Sequence, residues 1–200
     1  MLVAMVVAML PSSSPALAVP TRVTVAGTSR YLPVGPVRVA DTRSGEGVIR
    51  LTPDTIRVAV GLAAARLDAT AAVVAITLVG DHGYATAYPA GGARPATSSV
   101  NVTSDAPVVA TTTVVRLGAD ASIDVASAGS ITAVVVDLLG VFVPAEHATS
   151  GRFVAVAPQR LADTRTTATT VPAGGGQVTV ALPAEVATDA IAVAVNITTV

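Results

Sequence analysis

Tyr31 to Arg43 reads YLPVGPVRVADTR, and Phe153 to Arg165 reads FVAVAPQRLADTR. Both run aromatic, apolar stretch, Pro, x, Arg, apolar, Ala, Asp, Thr, Arg, at an offset of 122 residues from Arg38 to Arg160. Further along, VAITLV at Val74 to Val79 matches VNITTV at Val195 to Val200, within one residue of the same register. Self-similarity over so long a period marks a tandem supersecondary unit, and the fold of one copy is then the fold of the chain.

Working outward, the first copy spans 30–143, and Pro144 to Ser150 forms a short linker. The second copy occupies 151–200 and stops within a strand that should lie in a core. An open half-sheet has an unpaired apolar edge, so the reading expects the natural chain to continue past Val200. Ahead of the repeat, residues 1–18 combine an apolar block, MLVAMVVAML, with Ala16-Leu17-Ala18, the small-x-small pattern of a signal-peptidase site. Residues 19–29 are an N-terminal segment. The block is too short for a membrane span, which needs about 20 apolar residues, so the mature chain is expected to have none. A signal peptide normally opens with Lys or Arg, and none precedes Arg22, which places the expected translation start upstream of Met1.

Composition supports sheet. The chain is 52% hydrophobic but only 2% aromatic and 12% charged, with Val, Ala and Thr carrying most of it. Branched Cβ atoms pack well on a pleated surface and lose rotamer freedom in a helix. Alternation at Ile56/Val58/Val60, Val100/Val102 and Ile123/Val125 reads as half-buried strands. The near-continuous runs Ala71 to Val79, Val108 to Leu117 and Ile131 to Val136 read as strands buried in the middle of a sandwich. Gly-rich clusters at 44–47, 80–83, 90–93, 118–120 and 128–130 read as turns. About eight short strands so spaced predict an all-β, antiparallel β-sandwich of jelly-roll type, tandemly repeated, with the second copy truncated. Gly61 to Ala69 is the one helix-like stretch.

The same inventory narrows function. Net charge is −1, all twelve basic residues are Arg, and none cluster, which disfavours nucleic acid because phosphate binders need a basic stripe. There is no Cys, hence no disulfide, thiolate metal site or thiol nucleophile. The carboxylates Asp105, Asp120, Asp124 and Asp137 lack calcium-loop spacing, so neither metal nor cofactor is expected. His82 and His147 are the only histidines. A triad from Asp81, His82 and Ser98 or Ser99 is the sole hydrolytic arrangement available. It is disfavoured, because neighbours in a strand point to opposite faces and residues in a turn face solvent. The chain is expected not to be an enzyme.

Two polar features stand out. Asp41 and Arg43 lie two apart, on one strand face, and recur as Asp163 and Arg165, each with an upstream Arg38 or Arg160. The structural reading pairs them with one another or with Arg94 or Asp137 through bidentate hydrogen bonds. The functional reading has Arg43 recognise an anionic or hydroxylated group. The second feature is Tyr84, Thr86 and Tyr88 on one strand face, followed by Gly91-Gly92 and Arg94. These four are the candidate ligand-binding residues, with rings able to stack on sugars; alternatively the tyrosines fill the core with their hydroxyls at the rim.

PVRVADTRSG at Pro36 to Gly45, HGYATAYPAGGARPATSSVNV at His82 to Val102, and VVVDLLGVFV at Val134 to Val143 together resemble the DTR-type modules repeated in tandem in secreted and surface proteins of actinobacteria. The resemblance covers nearly all of the first copy and the opening of the second. It departs from the pattern at His82, where glycine is usual, and at Val141, where tyrosine is common. It implies an extracellular β-module, often beside peptidase, amidase or other cell-wall-directed domains. The resulting expectation is a non-enzymatic secreted or cell-surface module that acts as a spacer or binds cell-wall polymer or extracellular glycan. The alternatives are an accessory region of a larger secreted hydrolase with its catalytic domain beyond residue 200, and a self-associating adhesion or surface-layer component.

Overall fold

The computed structural model describes residues 29–61, 68–118, 120–147, 150–153, 160–164, 177–184, 190–195 and 197. The proposed signal peptide, most of the helix-like stretch at Gly61 to Ala69, Arg165, and the DTR strand of the second copy before Arg160 lie outside them.

The described chain is all-β and antiparallel. Seven strands follow in order: β1 (Ser29–Asp41), β2 (Val48–Thr52), β3 (Thr55–Ala59), β4 (Ala71–Pro89), β5 (Val100–Val102), β6 (Val108–Arg116) and β7 (Ser122–Pro144). A single 3-10 turn, Ala145–His147, closes the unit. Among the described residues no helix is long and apolar enough to cross a membrane.

Two strands organise the rest. β4 and β7, 19 and 23 residues long, pair along their whole lengths. The first half of β7 pairs on its other side with β3, which carries β2, and its second half pairs with β1. The second half of β4 takes β5, and its first half takes β6. The result is two wings, β2-β3-β7-β4-β5 and β1-β7-β4-β6, sharing two central strands.

Sequence reading placed turns at 80–83 and 128–130, and the structure corrects this. Both clusters lie inside strands, where the register of β4 on β7 shifts between Val79 and Gly83 and Gly83 comes opposite Gly129. Bends and bulges of this kind let one strand pass from one wing to the next. Glycine is required here by geometry. Gly129 has φ +95, and a Cβ on it would come within 2.5 Å of the His82 carbonyl oxygen. Eight short strands therefore become seven, two of them long.

Inward residues of both wings form one apolar cluster. It includes Val74, Ile76 and Leu78 of β4, Val134 and Val136 of β7 in one wing, and Val58, Ile123 and Val125 in the other. In the first half of β4 the even positions from Ala72 to Gly80 are buried, while Val73, Ala75, Thr77 and Val79 are half-buried. The run Val108 to Leu117, expected in the middle of a sandwich, instead forms the edge strand β6, with alternate residues exposed. Its Thr content is the feature that run-reading undervalued: an apolar and Thr mixture suits a surface exposed on one side.

The described strands run from Ser29 to Pro144. No described residue between 150 and 197 belongs to a strand.

Candidate functional site

The DTR element sits where β1 leaves the sheet. Ala40 and Asp41 pair with Val136 and Val135 of β7, and the chain then turns at 42–45. Thr42 fastens the turn, donating its N–H to the Val134 carbonyl at 3.0 Å and accepting the Val134 N–H on its hydroxyl at 2.9 Å. Asp41 is buried and receives three bonds from Arg43: the backbone N–H at 3.0 Å, Nε at 2.9 Å and Nη2 at 2.6 Å. Arg38 reaches it at 3.4 Å and binds Asp137 of β7 through Nε at 3.0 Å and Nη2 at 3.4 Å.

The expected common strand face of Asp41 and Arg43 is not what joins them. Arg43 lies beyond the strand end, and the turn folds its backbone and its guanidinium onto the same carboxylate. Hydrogen bonds from the Arg43 side chain and then its N–H hold the Asp41 carboxyl down to about 2. Asp137 belongs to this cluster, whereas Arg94 lies over the Tyr84 ring. Arg160 Nη1 likewise donates to Asp163, at 2.6 Å, so the matching upstream arginine and aspartate also pair.

The aromatic residue that opens the motif has its own role. The Tyr31 ring lies over Gly140 so closely that a Cβ there would come within 2.3 Å of it. Its hydroxyl donates to the Leu139 carbonyl at 3.0 Å, and Phe142 packs 5.5 Å away, tilted by 48°. Burial raises the Tyr31 pKa. The Tyr31 N–H also donates to the Gly151 carbonyl at 2.9 Å, bringing the end of the linker back against the start of β1.

The second candidate set lies on the outward face of β4, where Tyr84, Thr86 and Tyr88 alternate opposite Ala128, Ala126 and Asp124 of β7. The segment after β4 folds back over this face. Thr86 donates its hydroxyl to the Thr97 carbonyl at 2.8 Å, and the Ser99 N–H and hydroxyl bond to Ala85 and Ala87. Thr86 and Tyr88 are buried, and Tyr84 alone of the three is exposed. Neither tyrosine belongs to the apolar cluster shared by the wings. Arg94 lies over the Tyr84 ring at 5.5 Å from its centroid, a cation–π contact. An open three-residue stacking face is therefore not formed; the solvent-facing part is the Tyr84–Arg94 pair.

Beside it lies an ion pair missed in the sequence. Arg57 of β3 binds buried Asp124 of β7 through Nε at 2.8 Å and Nη2 at 3.0 Å, and the Gly91 N–H donates to the same carboxylate at 3.0 Å. Arg57 is the first cause of the lowered Asp124 pKa. The alternation of Ile56/Arg57/Val58 and Ile123/Asp124/Val125 put both residues on outward faces, but only register brings them opposite each other.

The hydrolytic set is not assembled. His82 Nδ1 and Asp81 lie 3.0 Å apart, both exposed, at the bend of β4. Adjacency in a strand would have separated them; the bend removes that alternation. Ser98 Oγ accepts from Asn101 Nδ2 at 3.1 Å, and Ser99 Oγ from the Ala87 N–H. Among the described residues no group of three His, Cys, Asp or Glu is placed to hold a metal ion.

Compared with protein-family models, curated proteins and solved structures, the chain matches none.

Proposed function

We propose that this chain is a non-enzymatic, exported β-module of a tandem array, its two wings forming a sandwich, and that it acts as a spacer at the cell surface. One observation carries the reading: Arg38, Asp41 and Arg43, whose residue types recur at 160, 163 and 165, are engaged with the scaffold. Asp41 is saturated by Arg43, and Arg38 ties it to Asp137 across the strand pair. A residue set that fastens a strand end recurs because every copy needs the same fastening. The bond from Tyr31 to Gly151 supports a defined exit direction for the following copy, which suits a semi-rigid stalk.

The test is sedimentation of the purified chain with isolated cell walls and with immobilised glycans. The spacer reading expects no saturable binding. Saturable binding that Tyr84→Ala or Arg94→Ala abolishes would replace it with a glycan-binding role at the exposed Tyr84–Arg94 pair, the second reading this surface supports.

A further inference from the structure

The two wings expose four edges, and three of them are guarded. β1 carries Pro33 and Pro36 and is irregular between Pro33 and Val37 and again between Arg38 and Ala40. β2 has five residues, includes Arg50, and shifts register before Thr52. β5 has only three residues. Natural sheets blunt edges by these means: proline, charge, bulges and shortness.

β6 has none of them within its span. Its nine residues, VVATTTVVR, pair with β4 without a register shift from Val79↔Val108 to Ala71↔Arg116. There is no proline, and the one charge is the terminal Arg116. Val108 and Val114 are 62% and 60% exposed. Among the described residues no strand lies on its other side.

Parity fixes which groups face outward. Gly80 donates to the Pro107 carbonyl and Leu117 to the Thr70 carbonyl, so the odd residues of this register bond to β4. In an antiparallel ladder the intervening residues turn their N–H and C=O away. Those are Val108, Ala110, Thr112, Val114 and Arg116, the residues whose side chains are exposed.

We propose that β6 pairs with β6 of a second copy of this chain, antiparallel about a two-fold axis at Thr112. This register sets Thr112 against Thr112, Ala110 against Val114 and Val108 against Arg116, every one a residue with free backbone groups. The two exposed faces stay on one side, and the wing becomes a continuous sheet across the dimer. Charge favours the same occupant. Asp105 precedes the strand and Arg116 ends it, so antiparallel pairing brings each basic end to the partner's acidic end, and no like charges are opposed. An interface of this kind is isologous and closes at two copies. It holds whether the module spaces or binds glycan.

Sedimentation velocity on the full chain tests it, with Thr112→Lys and Thr112→Glu, whose side chains are exposed and leave the core unchanged. The wild type sediments as a dimer. Each variant, folded by far-UV circular dichroism, opposes like charges at the axis and weakens association by about tenfold or more. An equimolar mixture of the two restores it, because Lys then faces Glu. A monomeric wild type, variants that associate like wild type, or a mixture that stays monomeric would each overturn the proposal.

Discussion

Ile76 and Ile197 stand at matching positions in the similar stretches VAITLV and VNITTV, yet the first is fully buried and the second is 82% exposed. Val58 and Val180 differ in the same way, at 0% and 43%. The amino acids are alike, so the difference lies in what surrounds them. In the first copy β4 is flanked by β6 and β7, and β3 by β2 and β7. Among the described residues from 150 to 197 none belongs to a strand. Hydrophobic pattern alone does not make a sheet; non-local pairing does, because an isolated strand pair buries too little to offset the entropy of ordering.

The sharpest way to break this comparison is to truncate both isoleucines. Ile76→Ala leaves a cavity in the shared core and is expected to cost about 2–5 kcal/mol, whereas Ile197→Ala is expected to change stability by less than about 0.5 kcal/mol. Denaturant melts of the two variants check this, and equal losses would show that the second copy is packed like the first. Next in size is the bend. Gly129→Ala forces a side chain into positive φ and against the His82 carbonyl, with an expected loss of about 1–3 kcal/mol in the same melt. A neutral result would mean that β4 and β7 do not bend together there.

Of comparable or smaller size is the buried ion pair. Asp124→Asn removes the charge that holds Arg57 and the Gly91 N–H, and a loss of about 1–3 kcal/mol is expected in the denaturant melt. The smallest effect is that of pH on the DTR element. The Asp41 carboxyl sits at about 2 in the folded chain against an ordinary 3.8. A depressed carboxyl contributes stability above its unfolded value, and that contribution fades as the pH falls from about 3.8 through about 2. Asp41→Asn should flatten the acid limb of a melting-temperature profile over that window. An acid limb that Asp41→Asn leaves unchanged would show that the Asp41–Arg43 pair does not hold this strand end.

Much of the sheet was legible because it is written locally. Alternation at Ile56/Val58 and Ile123/Val125, and the long apolar run from Ala71, mark strands without reference to anything distant. The bends were not legible: glycines at 80–83 and 128–130 serve equally for reversing a chain and for letting two strands fold over together, and only the pairing of Gly83 with Gly129 distinguishes these. Edge position was hidden for β6 by the same limit, since run composition does not name neighbours. At the candidate site, Arg38, Asp41 and Arg43 could be recognised as a group by their repetition. The link from Arg57 to Asp124, 67 residues apart, depends on register, and the bond that ties Thr86 to the Thr97 carbonyl depends on the path of the segment after β4.

The account rests most on the DTR element being a fastening that closes only against β7. Amide hydrogen exchange resolved at Thr42, Val134 and Thr164 tests it directly, because Thr42 and Val134 bond to each other across the strand pair and Thr164 holds the motif position of Thr42 in the second copy. The account predicts that Thr42 and Val134 exchange only with global unfolding and lose that protection together in Asp41→Asn, while Thr164 exchanges at nearly the rate of an unstructured peptide. Equal protection at Thr42 and Thr164, or slow exchange at Thr42 that survives Asp41→Asn, would contradict it.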